Sequence, residues 1–262
     1  MASYALNVIQ GWLLTLIGMH VVNVATQNSN MKPKRSKKTI KDSDKSKDHN
    51  SKYKFISYFL LILLLVIITL AVILYNYKII NLITANIYST IAVSLAFPTI
   101  VFAYLLTKKE DLSLIIKNLG LSKDKITSKN IIYGIVLFAI IIFLEIIFSF
   151  GESIFHISLP TNVKSTFMGM PVFFLIFTFT IAPIDEEILF RGFLVPRIGI
   201  WQSAFLFAIL HFEYGSISEI LFAFIFGVIA GYIFKKTHSL YTTIIGHCLI
   251  NLLGIIMLII IF

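Results

Sequence analysis

The chain has 262 residues, of which 58% are hydrophobic and only 13% charged, and its mean hydropathy of +0.90 lies far outside the soluble range. A soluble enzyme is thereby excluded; the single cysteine, Cys248, excludes an intramolecular disulfide and a cysteine-based metal site, and the continuously apolar runs exclude a porin-like barrel. The net charge of +9 is concentrated in one stretch, and its placement carries topological information.

In chain order, residues 4–24 form an apolar segment interrupted by Asn7, Gln10, His20 and Asn23, which fits a weak span, an interfacial helix or a signal-like segment. Met31, followed by Lys32, Pro33, Lys34 and Arg35, has the form of an ordinary start with a basic flank, so residues 1–30 are expected to be dispensable. Residues 32–54 carry ten Lys or Arg against three Asp, a net of +7. That stretch is a topology signal with affinity for anionic lipid. Nucleic acid is not an expected partner, because almost nothing here packs into a folded basic surface with stacking aromatics.

Seven spans follow, at 55–75, 87–106, 131–150, 171–195, 199–212, 217–234 and 240–262. Between the second and third, Leu112, Ile115, Ile116 and Leu119 recur at helical spacing and Gly120 follows, which predicts a short surface helix over 111–121. The expected fold class is all-α, a polytopic membrane helix bundle with seven to eight transmembrane helices. Its expected parts are an N-terminal region (1–54), two first transmembrane helices (55–110) and a core (111–262).

Every second loop is the more basic one. The loop 107–130 has six Lys against three acids, Arg197 follows the fourth span, and Lys235 with Lys236 follow the sixth, whereas the intervening loops carry little net charge. Basic residues resist translocation, so these loops and the 32–54 stretch are assigned to the cytoplasm, in a multi-pass protein of a cell membrane.

The fourth span keeps Asp185, Glu186, Glu187 and Arg191, although a charge at the centre of a span costs about 2.5 to 3.5 kcal/mol on insertion scales. Glu187 and Arg191 are four residues apart, the spacing of an intrahelical ion pair. Glu186 is turned about 100° away, leaving one carboxylate held by Arg191 and one available for chemistry. Phe207 and His211 share a face of the fifth span, and His247 and Asn251 share a face of the seventh. A rise of about 1.5 Å per residue puts Glu186, His211, His247 and Asn251 in one layer. Glu145 and Glu219, nearer the outer ends of their spans, are read as edge carboxylates.

A carboxylate and a histidine at one depth are equipped to deprotonate water, and an Asn amide with a second histidine to hold the oxyanion formed when water attacks a carbonyl. Two carboxylates and two imidazoles also have the donor types for Zn²⁺, which ranks second because Glu187 is expected to pair with Arg191 and no HExxH is present. A serine nucleophile ranks lower, for want of a Gly-x-Ser-x-Gly elbow.

These residues carry a resemblance. Glu186-Glu187-Ile-Leu-Phe-Arg191 resembles the EExxxR motif, Phe207-Ala-Ile-Leu-His211 the FxxxH motif and His247-Cys-Leu-Ile-Asn251 the HxxxN motif of the CPBP family of intramembrane proteases, which includes type II CAAX prenyl endopeptidases and bacterial Abi proteins. The resemblance extends over roughly 112–262. It implies an intramembrane endopeptidase in which Glu186 with His211 activates water, His247 with Asn251 holds the oxyanion, and Glu187, Arg191 and Phe207 order the site. Its substrate would be a peptide or membrane protein. Usage rich in Ile, Lys and Asn points to an AT-rich bacterial genome and so to pheromone or bacteriocin processing over prenyl processing. The rival class is a non-enzymatic membrane immunity or scaffold protein, and a transporter comes third, since no interrupted inverted repeat is evident.

The charge alternation predicts that a Ser43→Cys variant, in a Cys248→Ala background, resists an impermeant thiol reagent in intact cells. Labelling there would reverse the assigned orientation.

Overall fold

The computed structural model describes residues 66–67, 69–70, 73–107, 111–156, 167–214 and 216–261. Among these there is no strand. The helices are α1 (Leu82–Thr107), α2 (Leu112–Asn118), α3 (Ser128–Ile154), α4 (Val172–Glu187), α5 (Val195–Ile198), α6 (Ile200–Leu210), α7 (Ile217–Thr237) and α8 (Leu240–Ile261). A π-helical turn, Ile188–Leu194, joins α4 to α5, and 3-10 turns lie at Lys123–Lys125 and His211–Tyr214. The chain divides into two units between Ile115 and Ile116, and every motif residue lies in the second. The segment 4–24, the basic stretch 32–54 and the expected dispensability of 1–30 fall outside the described residues. Of the predicted span 55–75, residues 66–67, 69–70 and 73–75 are described, and they are helical.

The chain is a helical membrane bundle. Ile83–Leu106, Ser128–Ile154, Ile217–Thr237 and Leu240–Ile260 are each long and apolar enough to cross a bilayer. Large apolar side chains such as Phe143, Ile146 and Phe150 on α3 and Ile259 and Ile260 on α8 point outward, a surface that suits acyl chains and that a water-soluble protein would have to cover.

Two predicted spans differ from what is found. The span 199–212 is an 11-residue helix followed by a 3-10 turn, and at about 1.5 Å per residue it covers roughly half of a hydrocarbon core. The span 171–195 is an α-helix only to Glu187, after which its hydrogen bonding changes to the π pattern. Composition registers apolarity but not a change of helical pitch. The predicted surface helix is α2, closed by Gly120 at φ +76, where the left-handed conformation favours glycine. Ile115 and Leu119 are buried as expected, whereas Leu112 is exposed.

Local chemistry sets the ends of the long helices. Thr127 caps α3 by accepting from the Asn130 amide at 3.2 Å. Ser216 accepts from the Glu219 amide at 3.2 Å, and Ser216-Ile-Ser-Glu219 has the Ser-x-x-Glu form of a capping box, so Glu219 belongs to the first turn of α7. At the far end of α7, His238 adopts a left-handed conformation and donates its amide to Phe234 O. The adjoining segment is fastened to the loop after α2 by Leu240 N to Gly120 O, Ser239 Oγ to Lys125 O and Tyr241 Oη to Leu121 O. The loops at 119–127 and 235–239, assigned to one side of the membrane from their charge, thus meet at one end of the unit.

Small residues let the helices of this unit approach closely. On α3 and α8, a Cβ at Gly134 would stand 2.8 Å from Thr242 O, and one at Gly246 would stand 2.8 Å from a Leu137 methyl. On α7, Gly227 meets Ala204 and Gly231 meets Ile200 of α6 in the same way. Gly246 directly precedes His247, so this crossing fixes how deeply that imidazole reaches into the bundle. Gly246→Leu is expected to cost roughly 1–3 kcal/mol. Gly254→Ala, with open space around it, should stay within about 0.5 kcal/mol. Thermal melting in detergent checks the pair, and equal melting of the two variants would refute the packing argument.

Candidate functional site

The polar layer is built on four segments, the α4–π junction, the end of α6, the middle of α7 and the middle of α8. At the junction, Arg191 Nη1 lies 2.9 Å from Glu187 Oε1, with the two side chains 1% and 0% exposed. Both Arg191 Nη atoms and Glu187 Oε2 lack a hydrogen-bond partner, so the contact is an ion pair without hydrogen-bond alignment. Two aromatic rings also lie against the guanidinium. Its carbon lies 4.2 Å from the Phe207 ring centroid and 4.8 Å from that of Phe226, distances at which the negative ring faces attract a cation.

His247 completes the cluster from α8. Its Nδ1 is 2.9 Å from Glu187 Oε1 and its Nε2 is 3.6 Å from Glu186 Oε2. A carboxylate only accepts, so the shorter contact requires a hydrogen on Nδ1. Glu187 therefore faces two cationic or donor groups through one oxygen, while Glu186 has the longer contact and is 23% exposed. Glu186 is the more accessible carboxylate, but it does not stand apart as sequence spacing suggested; it shares His247 with its neighbour.

His211 caps the C-terminus of α6, where its Nδ1 lies 2.9 Å from Phe207 O. If Nδ1–H donates there, Nε2 is the acceptor nitrogen of a neutral ring. The Phe207 ring, itself buried, is a common neighbour, with centroids 4.6 Å from His211, 5.7 Å from His247, 5.1 Å from Phe190 and 5.9 Å from Phe226. Asn251, one turn beyond His247, donates Nδ2 to Thr178 O of α4 at 2.9 Å. The structure therefore joins Glu186, Glu187, Arg191, Phe207, His211 and His247 in a chain of contacts, and it attaches Asn251 to the α4 backbone at Thr178, more than two turns before Glu186.

Three contributors lie outside the motifs. Phe226 covers Arg191 and stands 4.8 Å from the His247 ring; in the sequence it is one of many phenylalanines, marked only by the adjacent Gly227. Thr178 supplies a carbonyl, and no side-chain pattern reveals that. Ser203, buried on α6, donates to Phe190 O at 2.8 Å and so satisfies a carbonyl inside the π turn. A hydroxyl four residues before Phe207, on the same helix face, was the available signal.

The donor types suit zinc, but the arrangement does not. Among the described residues no three or more His, Cys, Asp or Glu side chains are grouped for a metal ion, and Glu187 Oε1 is already shared by Arg191 and His247.

Residues 168–253 match the family model described as type II CAAX prenyl endopeptidase Rce1-like. The match covers about a third of the chain. The matched stretch holds all seven motif residues and is shorter than the 112–262 expected from the motifs. The chain is also similar to an uncharacterized protein, YpbD, of Bacillus subtilis (strain 168), with 31% identity over 90 residues, which are 34% of this chain and 47% of that protein. It therefore spans about half the length of the curated relative it matches. No solved structure matches.

Arg191→Ala would leave Glu187 charged and buried, and is expected to cost roughly 3–5 kcal/mol. Ser203→Ala removes one of the two hydrogen bonds that Phe190 O accepts, the other coming from Val195 N–H, and should cost about 0.5–1.5 kcal/mol. Melting of the purified variants measures both, and an Arg191→Ala protein as stable as wild type would show that Glu187 does not depend on the pair.

Proposed function

We propose that this protein is an intramembrane endopeptidase, multi-pass in a bacterial cell membrane, that hydrolyses a peptide bond with water activated by Glu186 and His211. The family match supports protease chemistry, and the match to a bacillus protein supports the bacterial assignment. The observation that carries the mechanism is the asymmetry of the paired carboxylates. Glu187 is buried against Arg191 and His247, whereas the adjacent Glu186 keeps 23% exposure and lies 3.6 Å from His247 Nε2.

In this reading Glu186 takes a proton from water as the oxygen bonds to the scissile carbonyl carbon, and His211 holds the water in line. The carbonyl π electrons move to its oxygen. The resulting oxyanion is received by the Asn251 amide and by His247. Thr178 O accepts one Nδ2 hydrogen of Asn251, which fixes the amide plane and leaves the second hydrogen for the oxyanion. His247 donates Nδ1–H to Glu187, so it offers Nε2–H only as the imidazolium. Collapse of the intermediate breaks the C–N bond, and the proton held by Glu186 passes to the departing amine. Glu187, Arg191 and Phe207 order the site. The substrate is a membrane-associated peptide, of the pheromone or bacteriocin kind.

One observation favours a second reading, a non-enzymatic immunity or scaffold protein. Asn251 and His247 both make contacts within the protein, as bundle-ordering groups would. Glu186→Gln separates the two. It preserves size and hydrogen bonding but removes the base, so a protease should lose turnover with its fold and substrate affinity kept. Asn251→Ala should lower turnover by roughly 10² to 10³. The assay is cleavage of the candidate peptide in membranes, with abundance and melting measured in parallel. Full cellular function of Glu186→Gln at normal abundance would overturn the catalytic reading.

A further inference from the structure

At the end of the second unit where the basic loops meet, two lysines from different helices converge on one aromatic ring. Lys129 Nζ, in the first turn of α3, lies 5.9 Å from the Tyr133 ring centroid, and Lys236 Nζ, in the last turn of α7, lies 5.5 Å from it. The two ammonium groups therefore stand within about 11 Å of each other. They have little acid to offset them, since Asp124 is the only Asp or Glu between 112 and 144 and none follows Glu219. Lys123, Lys125 and Lys235 add further positive charge nearby in the chain, and the hydrogen bonds of Lys125 O to Ser239 Oγ and Asn130 Nδ2 hold the two loops together.

The position of this cluster selects its ligand. The apolar windows of α3 and α7 begin at Ser128 and end at Thr237, so both lysines sit at the margins of candidate membrane spans. Each has a tyrosine one turn further in, Tyr133 after Lys129 and Tyr232 before Lys236. The adjoining surface is apolar and outward-facing, with Ile131, Ile132 and Val136 exposed on α3 and Tyr232 exposed on α7. Paired cations above aromatic side chains and an acyl-facing wall suit a phosphate that is attached to hydrocarbon.

We propose that Lys129 and Lys236, both against the Tyr133 ring, bind the phosphodiester headgroup of an anionic membrane lipid and so bridge the ends of α3 and α7. The proposal depends on the membrane placement of these helices and is independent of the protease reading. The bound lipid cross-links α3, which packs against the His247 helix, to α7, which carries Phe226 beneath Arg191.

The test is melting of the full chain in nanodiscs of phosphatidylcholine alone and of phosphatidylcholine with phosphatidylglycerol. Phosphatidylglycerol should raise the midpoint of wild type. The rise should be lost in Lys129→Gln/Lys236→Gln and kept in Lys129→Arg/Lys236→Arg. A Lys78→Gln/Lys164→Gln variant, equal in charge change but placed in loops that the charge alternation assigns to the other side, should keep the rise. Inorganic phosphate added to phosphatidylcholine discs should leave wild type unchanged. An equal rise in the Gln pair at 129 and 236, no rise in wild type, or the same rise from inorganic phosphate would each overturn the assignment. Should the Gln pair fail to fold, Lys236→Gln alone must show a reduced rise, and an undiminished one overturns the proposal.

Discussion

An arginine buried to 1% exposure within an apolar helical bundle must be neutralised where it stands, because the surrounding hydrocarbon offers no compensating solvent. Glu187, four residues earlier, supplies the opposite charge, and the faces of Phe207 and Phe226 lie against the guanidinium. Each of these neighbours comes at a structural cost. The carboxylate needs a second donor and draws in His247; the two rings must come from α6 and α7, which therefore pack tightly through Gly227 and Gly231. Much of the second unit can be understood as the set of contacts that makes one buried ion pair tolerable.

The π turn belongs to the same constraint. It starts immediately after Glu187 and contains Arg191, so the helix departs from its regular hydrogen bonding where charge is most concentrated. A carbonyl within that turn, Phe190 O, accepts from Ser203 of another helix as well as from Val195 N–H. Gly192, in the turn, faces Leu119, where a Cβ would meet the leucine side chain at 3.2 Å. The turn is thus pinned on both sides by neighbouring segments. Irregular backbone of this kind survives at membrane depth because protein surrounds it.

The helices that build the site also determine which of its groups are accessible. α8 brings His247 between the two carboxylates, yet the contacts are unequal, at 2.9 Å to Glu187 and 3.6 Å to Glu186. Adjacent residues on one helix point in different directions, so one carboxylate faces the arginine while the next keeps partial exposure. This division of labour needs no difference in residue type, only the helical offset between neighbours and a third helix at the correct depth. Asn251 adds the tie that holds α8 against α4 one turn away.

The sequence by itself determined the membrane class, the existence and spacing of the long apolar helices, the surface helix ending at Gly120 and the Glu187–Arg191 pair. These follow from composition, from 3.6-residue periodicity and from chemistry within one or two turns of a helix, all of which are local. It also set the expectation that Glu186, His211, His247 and Asn251 share a depth, since rise per residue is fixed. What only the tertiary structure decided was lateral: that His247 reaches both glutamates, that Asn251 meets a backbone carbonyl of α4, that Phe226 covers the arginine, and that α6 is too short to cross as a single helix. Depth is written into each helix separately, whereas lateral contact depends on how closely helices approach and rotate against one another. Those quantities are set by glycines and ring faces on different segments, and no single segment encodes them.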